Sequence, residues 1–199
     1  MRNKNLIVAI LSLFVALLSR DAVSQSCALI LRDKDVDIES FNQTTNFLAG
    51  NFWLPIRSDS KASDCVSPGS SEQEALAKRL TRSNDIVTVM LIGESWASGR
   101  QTILVSTNPP LALVNLRAIK QRAAVLGDTA AQEYPHLLQK EVMRAIGAVF
   151  GLQDCLNPCC CMCDAELVPG MRIIGVNFCP PCLTTFEKMI PPPKTPRSK

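Results

Sequence analysis

Seven of the chain's nine cysteines fall within 28 residues: Cys155, Cys159, Cys160, Cys161, Cys163, Cys179 and Cys182. Thiols at that density either ligate a metal or pair as disulfides. Cys155 and Cys160 enclose four residues, and Cys179 and Cys182 enclose two prolines. Zinc takes four ligands in a tetrahedron at about 2.3 Å, and two tight cysteine hairpins brought together supply that geometry. The prolines stiffen the second turn and leave both sulfurs facing one point. Export would favour disulfides instead, and an odd cysteine total means that not every thiol can pair within the chain. Cys155, Cys160, Cys179 and Cys182 are therefore the candidate ligands of one structural zinc ion, with disulfide pairing the open alternative. Cys27 and Cys65 stand apart in the N-terminal half.

Immediately before this cluster runs RAIGAVFGLQDC, residues 144–155. It has the frame of a zinc-protease helix: a helical run ending in Gly-Leu, then a short reach to a further ligand position. The spacing over 144–182 resembles the archaemetzincin signature, HExxHxxGxxH followed by C-x4-C-x-M, a spacer and C-x-x-C. Gly151 falls on the motif glycine, Cys155, Cys160 and Met162 on the second block, and Cys179-Pro-Pro-Cys182 on the last. The spacer is the sixteen residues 163–178. Weaker similarity reaches back to RQTILVST, which looks like the strand preceding the active-site helix in bacterial members. The resemblance implies a metzincin-like single α/β domain, with a twisted mixed sheet, helices, an active-site helix at 135–151 and a small Cys-rich C-terminal lobe. It also implies, for intact members, aminopeptidase-like cleavage of short peptides, and makes Met162 the Met-turn residue.

At the catalytic positions the match fails. The first zinc histidine falls on Arg144, the general-base glutamate on Ala145, and the second and third histidines on Ala148 and Asp154. In the intact motif, i and i+4 put two histidines on one helical face beside a glutamate that deprotonates the zinc-bound water. Here a guanidinium takes the first place and methyl groups take two more. One carboxylate is not a site, so no catalytic zinc is expected.

Other catalysts fare no better. The only histidine, His136, lies eight residues before Arg144 and reads as a surface or capping residue. A Ser-His-Asp or cysteine nucleophile would have to use it, and Ser95 in GESWASG is not a hydrolase elbow.

These residues need a frame. The helix at 135–151 has Pro135 suited to its first position and Gly151 to the left-handed residue past its end. Leu138, Val142, Ile146 and Val149 form its buried stripe, with Lys140, Glu141 and Arg144 off it. CALILRDKDVD reads as a strand running into a loop. Residues 41–69, rich in Ser, Asn, Asp and Pro, read as irregular, and the Asn42-Gln43-Thr44 sequon is a weak signal. Ser70 or Ser71 with Glu72 or Glu74 opens a capping-box helix running through Leu76 and Leu80. DIVTVMLIG and QTILVST are β-branched runs that read as paired strands around ESWASGR. LALVNLRAIKQRAAVLG reads as one helix, stopped by Gly127.

The chain's start reads as an export signal: Arg2 and Lys4, an apolar run at Leu6–Leu18, then a small-residue cleavage site after Ser24. Removing 1–24 leaves a domain at 25–190, with its Cys-rich lobe at 155–182, and a disordered Pro-rich basic tail at 191–199. The mature piece carries 18 basic and 17 acidic residues, which points to neither nucleic acid nor an anionic membrane as partner. The expected function is an exported, secreted or periplasmic, pseudo-metalloprotease that keeps its four-cysteine zinc and binds an extended peptide or protein segment by strand addition. An active peptidase with non-standard ligands and a disulfide-stapled interaction module are the alternatives.

Overall fold

The computed structural model describes residues 26–63, 75, 79, 81–93, 101–164 and 175–192. The export signal, Cys65, Ser95 with the rest of ESWASGR, and 193–199 lie outside the described residues. So does most of the helix expected at 70–80, of which Ala75 and Arg79 are helical. Among the described residues no helix is long and apolar enough to cross a membrane.

Five strands form one sheet: β1 (Cys27–Asp33), β2 (Ile56–Ser63), β3 (Asp85–Ile92), β4 (Ile103–Thr107) and β5 (Pro110–Asn115). Their order is β2-β1-β3-β5-β4. The first four in that order are parallel, and β4 pairs antiparallel with β5 at the edge. β1, β3 and β5 are near-continuous apolar runs because strands in a parallel sheet are buried on both faces. Ala28, Ile30, Val87, Val89 and Leu91 face one core; Leu29, Leu31, Met90, Ile92, Leu111 and Leu113 face the other. The architecture is the expected mixed-sheet α/β domain with a Cys-rich C-terminal end.

Several local expectations fail, each for a physical reason. Residues 41–63 are not irregular: helix α1 spans Ile38–Asn51, and β2 follows it, while 64–69 lie outside the described residues. The Asp37 side chain accepts from Ser40 N at 2.6 Å and caps α1, and Phe41, Thr44 and Leu48 are buried at helical spacing. Asn42, Asn46 and Asn51 lie on the exposed face of this helix, so their polarity marked its solvent side, not the lack of a helix.

The run at 111–127 is not one helix. Leu111–Asn115 completes β5, and α2 begins at Leu116 and ends at Ala124. Asn115 divides them, its side chain accepting from Ala118 N at 3.0 Å as the helix cap. DIVTVMLIG and QTILVST do form strands but do not pair, because β5 inserts between them. β4 does not directly precede the long helix either; β5 and α2 intervene, although that helix packs on both strands.

The long helix, α3, spans Ala130–Val149 and not 135–151. A short 3-10 turn at Gly127–Thr129 leads into it, so Pro135 lies inside the helix rather than opening it. Its C-terminus behaves as expected. Gly151 has φ +84°, Gly151 N donates to Ala148 O, and Leu152 N donates to Gly147 O at 3.0 Å. That is the paired closure a left-handed glycine permits. The last helix, α4 (Pro180–Met189), rests on Phe186, whose ring packs on Phe52, Trp53, Phe150 and Phe178.

Candidate functional site

Two sites meet at the C-terminal end of α3. The first is built by the cysteines. The chain leaves α3 through the Gly151 cap and enters a loop closed at its base by Cys155 N donating to Met162 O at 3.0 Å. Cys160 N donates to Asn157 O, and Cys163 N to Cys160 O, so the loop folds in tight turns. Cys179 is the residue capping α4, with Pro180 and Pro181 opening the helix, and Cys182 sits in its first turn. The rigid turn expected of the CPPC sequence is therefore the start of a helix.

The ligand atoms of Cys155, Cys160, Cys179 and Cys182 all lie within 4.8 Å of one another. Cys155 Sγ and Cys179 Sγ are 3.8 Å apart, about the edge of a tetrahedron with zinc–sulfur bonds of about 2.3 Å. A disulfide would bring them to about 2.05 Å, and all described cysteines are free. The sulfurs also receive backbone donors, Cys179 N to Cys160 Sγ at 3.3 Å and Asn157 N to Cys155 Sγ at 3.5 Å. Burial raises the Cys179 thiol, but the Cys182 N–H and the neighbouring sulfurs outweigh it and hold the thiol below its ordinary range. Burial and the neighbouring sulfurs push the Cys182 thiol up, and burial raises the Cys160 thiol, so the cluster favours a charge at Cys179. The four donors fit a metal that takes thiolate tetrahedra.

Of the spare cysteines, Cys159 is exposed while Cys161 and Cys163 are buried. Burial, then the nearby Cys160, pushes the Cys161 thiol far up, so it stays protonated.

The second site is the motif position. Arg144 is 8% exposed, and its Nη2 lies 3.1 Å from Asp154 Oδ1 and 2.5 Å from Asp164 Oδ2. Its Nη1 lies 3.5 Å from Glu141 Oε2. Glu141 also accepts from Thr102 Oγ1 at 2.7 Å and Lys140 Nζ at 3.0 Å, with Arg122 at 3.8 Å. Burial pushes the Glu141 carboxyl up, but Lys140 and Arg144 more than offset it, so the group stays ionised below the usual carboxylate range. Ala145 is fully buried and Ala148 partly so. Met162 lies beneath the helix, with Sδ 2.6 Å from where a Cβ on Gly147 would stand.

The donors at the four motif positions are thus a guanidinium, two methyl groups and one carboxylate already paired to that guanidinium. They do not fit a catalytic metal. His136 is half-buried within α3 and not at its cap, and its Nδ1 is buried and unpartnered among the described residues.

The four cysteines singled out by their spacing do converge in space. Sequence reasoning missed the partners of Arg144. Lys140, Glu141 and Arg144 were expected off the buried stripe, yet all three are buried. The usable signal was the three-residue spacing of Glu141 and Arg144, which places opposite charges side by side on a helix. Asp164 carried no motif signal.

No family model and no curated protein matches this chain. Solved structures do. A zinc-dependent peptidase from Methanocorpusculum labreanum aligns with TM-score 0.59 and 13% identity, over 79% of this chain and 98% of its own. Archaemetzincin from Methanopyrus kandleri aligns with TM-score 0.59 and 18% identity, over 85% and 98%. Archaemetzincin from Archaeoglobus fulgidus, solved with malonate, gives TM-score 0.56 and 18% identity, over 79% and 98%. The chain has the archaemetzincin fold.

Proposed function

We propose that this chain is an exported archaemetzincin-like pseudo-metalloprotease: it does not hydrolyse peptide bonds, and it holds one structural zinc ion through Cys155, Cys160, Cys179 and Cys182. The observation that carries the first half is the ion pair between Arg144 and Asp154 at the first and third ligand positions. A dication needs ligands with lone pairs, and a guanidinium has none to give. With Ala145 in the glutamate's place, no base stands ready to take a proton from water.

The second half rests on four convergent sulfurs and on the 3.8 Å Cys155–Cys179 separation. When bound, zinc would cross-link the loop after α3 to the start of α4, a folding role that structural thiolate sites commonly serve. Met162 then serves as packing under α3.

What the fold retains is the edge of the sheet. Among the described residues β4 pairs on one side only, with β5, and Leu104 and Val105 are 37% exposed there. An extended peptide or protein segment adds to such an edge through main-chain hydrogen bonds. The protein acts as a binding module in a secreted or periplasmic setting.

The decisive assay gives purified protein excess zinc and aminoacyl or short peptide substrates, with and without chelator. No chelator-sensitive turnover is expected. Chelator-sensitive cleavage by a preparation free of other proteases refutes the reading.

A further inference from the structure

One nitrogen of Arg144 grips both ends of the cysteine loop. Asp154 directly precedes Cys155, and Asp164 directly follows Cys163. Nη2 reaches the first at 3.1 Å and the second at 2.5 Å. Between these anchors lie two of the four candidate ligands, Cys155 and Cys160, and the buried Met162. Arg144 itself is fixed on α3 by Glu141, which Thr102 and Lys140 hold in turn.

We propose that Arg144 is a positioning residue for the cysteine metal centre: standing in the first histidine's place, it ties the base of the Cys155–Cys163 loop to α3 and presets the Cys155/Cys160 hairpin opposite Cys179 and Cys182. This rests on the four-cysteine centre taking a metal.

The physical reason is pre-organisation. The loop 155–163 offers its sulfurs only while its two ends stay together. Once the guanidinium is gone, the bond from Cys155 N to Met162 O still joins the two ends, and Cys161 N to Asn177 O and Gly175 N to Pro158 O hold the loop from outside, but the Arg144 tie to α3 is lost. Asp164 is the stronger anchor: its side chain is 18% exposed against 50% for Asp154, so its contact with Arg144 is less screened by water. The residue that matters beside Arg144 therefore lies outside every motif position.

The test uses the full mature chain under reducing conditions, with zinc and cobalt(II) as probes. Wild type, Arg144→Met, Asp164→Asn and Arg144→Lys compete with a chromophoric chelator for zinc. Arg144→Met and Asp164→Asn are expected to lose about 10–100-fold in zinc affinity, the usual cost of removing a group that orients metal ligands. Arg144→Lys should recover part of that loss by keeping a charge without the fork. The cobalt(II) thiolate absorption should keep its tetrahedral shape in all of them, because the four sulfurs remain.

Arg57→Met is the control. It breaks the half-buried Arg57–Asp85 pair, outside this network, and should lower stability while leaving zinc affinity unchanged. If Arg144→Met does not fold, Asp164→Asn carries the same expectation with Arg144 still held by Asp154 and Glu141. Equal zinc affinity in wild type and Asp164→Asn overturns the proposal, as does an equal loss in Arg57→Met. Wild type that takes up neither metal overturns the four-cysteine reading itself, and this inference with it.

Discussion

Arg144 and Asp154, which the sequence resemblance matches to the first and third zinc ligands of a protease motif, face each other as an ion pair with Nη2 3.1 Å from Oδ1. Together they fill the position with opposite charges that satisfy one another, and Asp164 and Glu141 complete the arrangement. Among the described residues, Arg144, Lys140 and Arg122 lie against Glu141, and Arg144 also against Asp154 and Asp164. A metal ion arriving there would have to displace a resident guanidinium. At 4 Å two like unit charges repel by about 4 kcal/mol at an effective dielectric of about 20, and a dication doubles that.

The cysteine centre makes a stoichiometric prediction. Metal analysis of protein purified under reducing conditions should find one zinc per chain. Cys160→Ser or Cys179→Ser should abolish it and lower the melting temperature by several degrees, since a structural site contributes its binding energy to folding. Cys159→Ser, which changes an exposed spare thiol, should do neither. Zinc retained after loss of Cys179 would count against the ligand set.

The buried network predicts acid sensitivity, and the sign follows from Glu141. Its carboxyl is held below the ordinary range when folded, so its contribution is fully present above the unfolded value of about 4.3 and is lost as pH falls through the folded value. Asp85, whose burial is outweighed by Arg57 and its other partners, behaves alike. Stability should fall as pH drops below about 4, with a shallower slope in Glu141→Gln. A slope identical to wild type would mean that Glu141 is not ionised in the folded protein.

How much of this was legible in the sequence depended on whether a feature is local. The C-terminal cap of α3 needed only Gly151, and the cysteine hairpins needed only their spacing. The break between β5 and α2 was hidden because Leu111–Val114 is apolar at every position, which fits a buried strand and a buried helix equally. Helix α1 was hidden because Ser, Asn and Thr weigh against helix in composition, while Phe41 and Leu48 decide it through packing. The burial of Lys140, Glu141 and Arg144 depends on Thr102, Asp154 and Asp164, which lie 10 to 39 residues away from their partners. No window of sequence contains that network.

Gly147 illustrates a tertiary requirement inside a helix. A Cβ there would stand 2.6 Å from Met162 Sδ, 2.9 Å from Phe178 Cε1 and 3.1 Å from Leu152 Cδ1. Three neighbours from different segments would have to move. Gly147→Ala gains about 0.5–1 kcal/mol from helix propensity but overpacks a core, which costs about 1–3 kcal/mol. Net destabilisation is expected in chemical denaturation, with Met162→Ala relieving part of it in the double variant. A more stable Gly147→Ala would show that Met162 does not pack as described.

The last prediction places the protease motif's ligands at the positions the resemblance matches to them. Arg144→His alone should be destabilising, because it leaves Glu141 and Asp164 without their guanidinium; breaking a buried pair costs about 3–5 kcal/mol, somewhat less where water reaches one partner. Arg144→His, Ala145→Glu, Ala148→His and Asp154→His together should restore two histidines one turn apart on α3 and a third beyond the Gly151 cap. The backbone frame for this is present, since Gly151 already holds the left-handed turn that carries the chain from the helix to position 154. The quadruple variant should therefore bind a second zinc ion, and zinc should raise its melting temperature through that site. In Arg144→His alone, added zinc should restore nothing, because one histidine and a carboxylate make no tetrahedral site. Metal content and thermal melts with and without zinc read both outcomes. One zinc per chain in the quadruple variant, with no zinc-dependent stabilisation beyond that of wild type, would mean that the backbone at 144–154 does not hold a ligand frame.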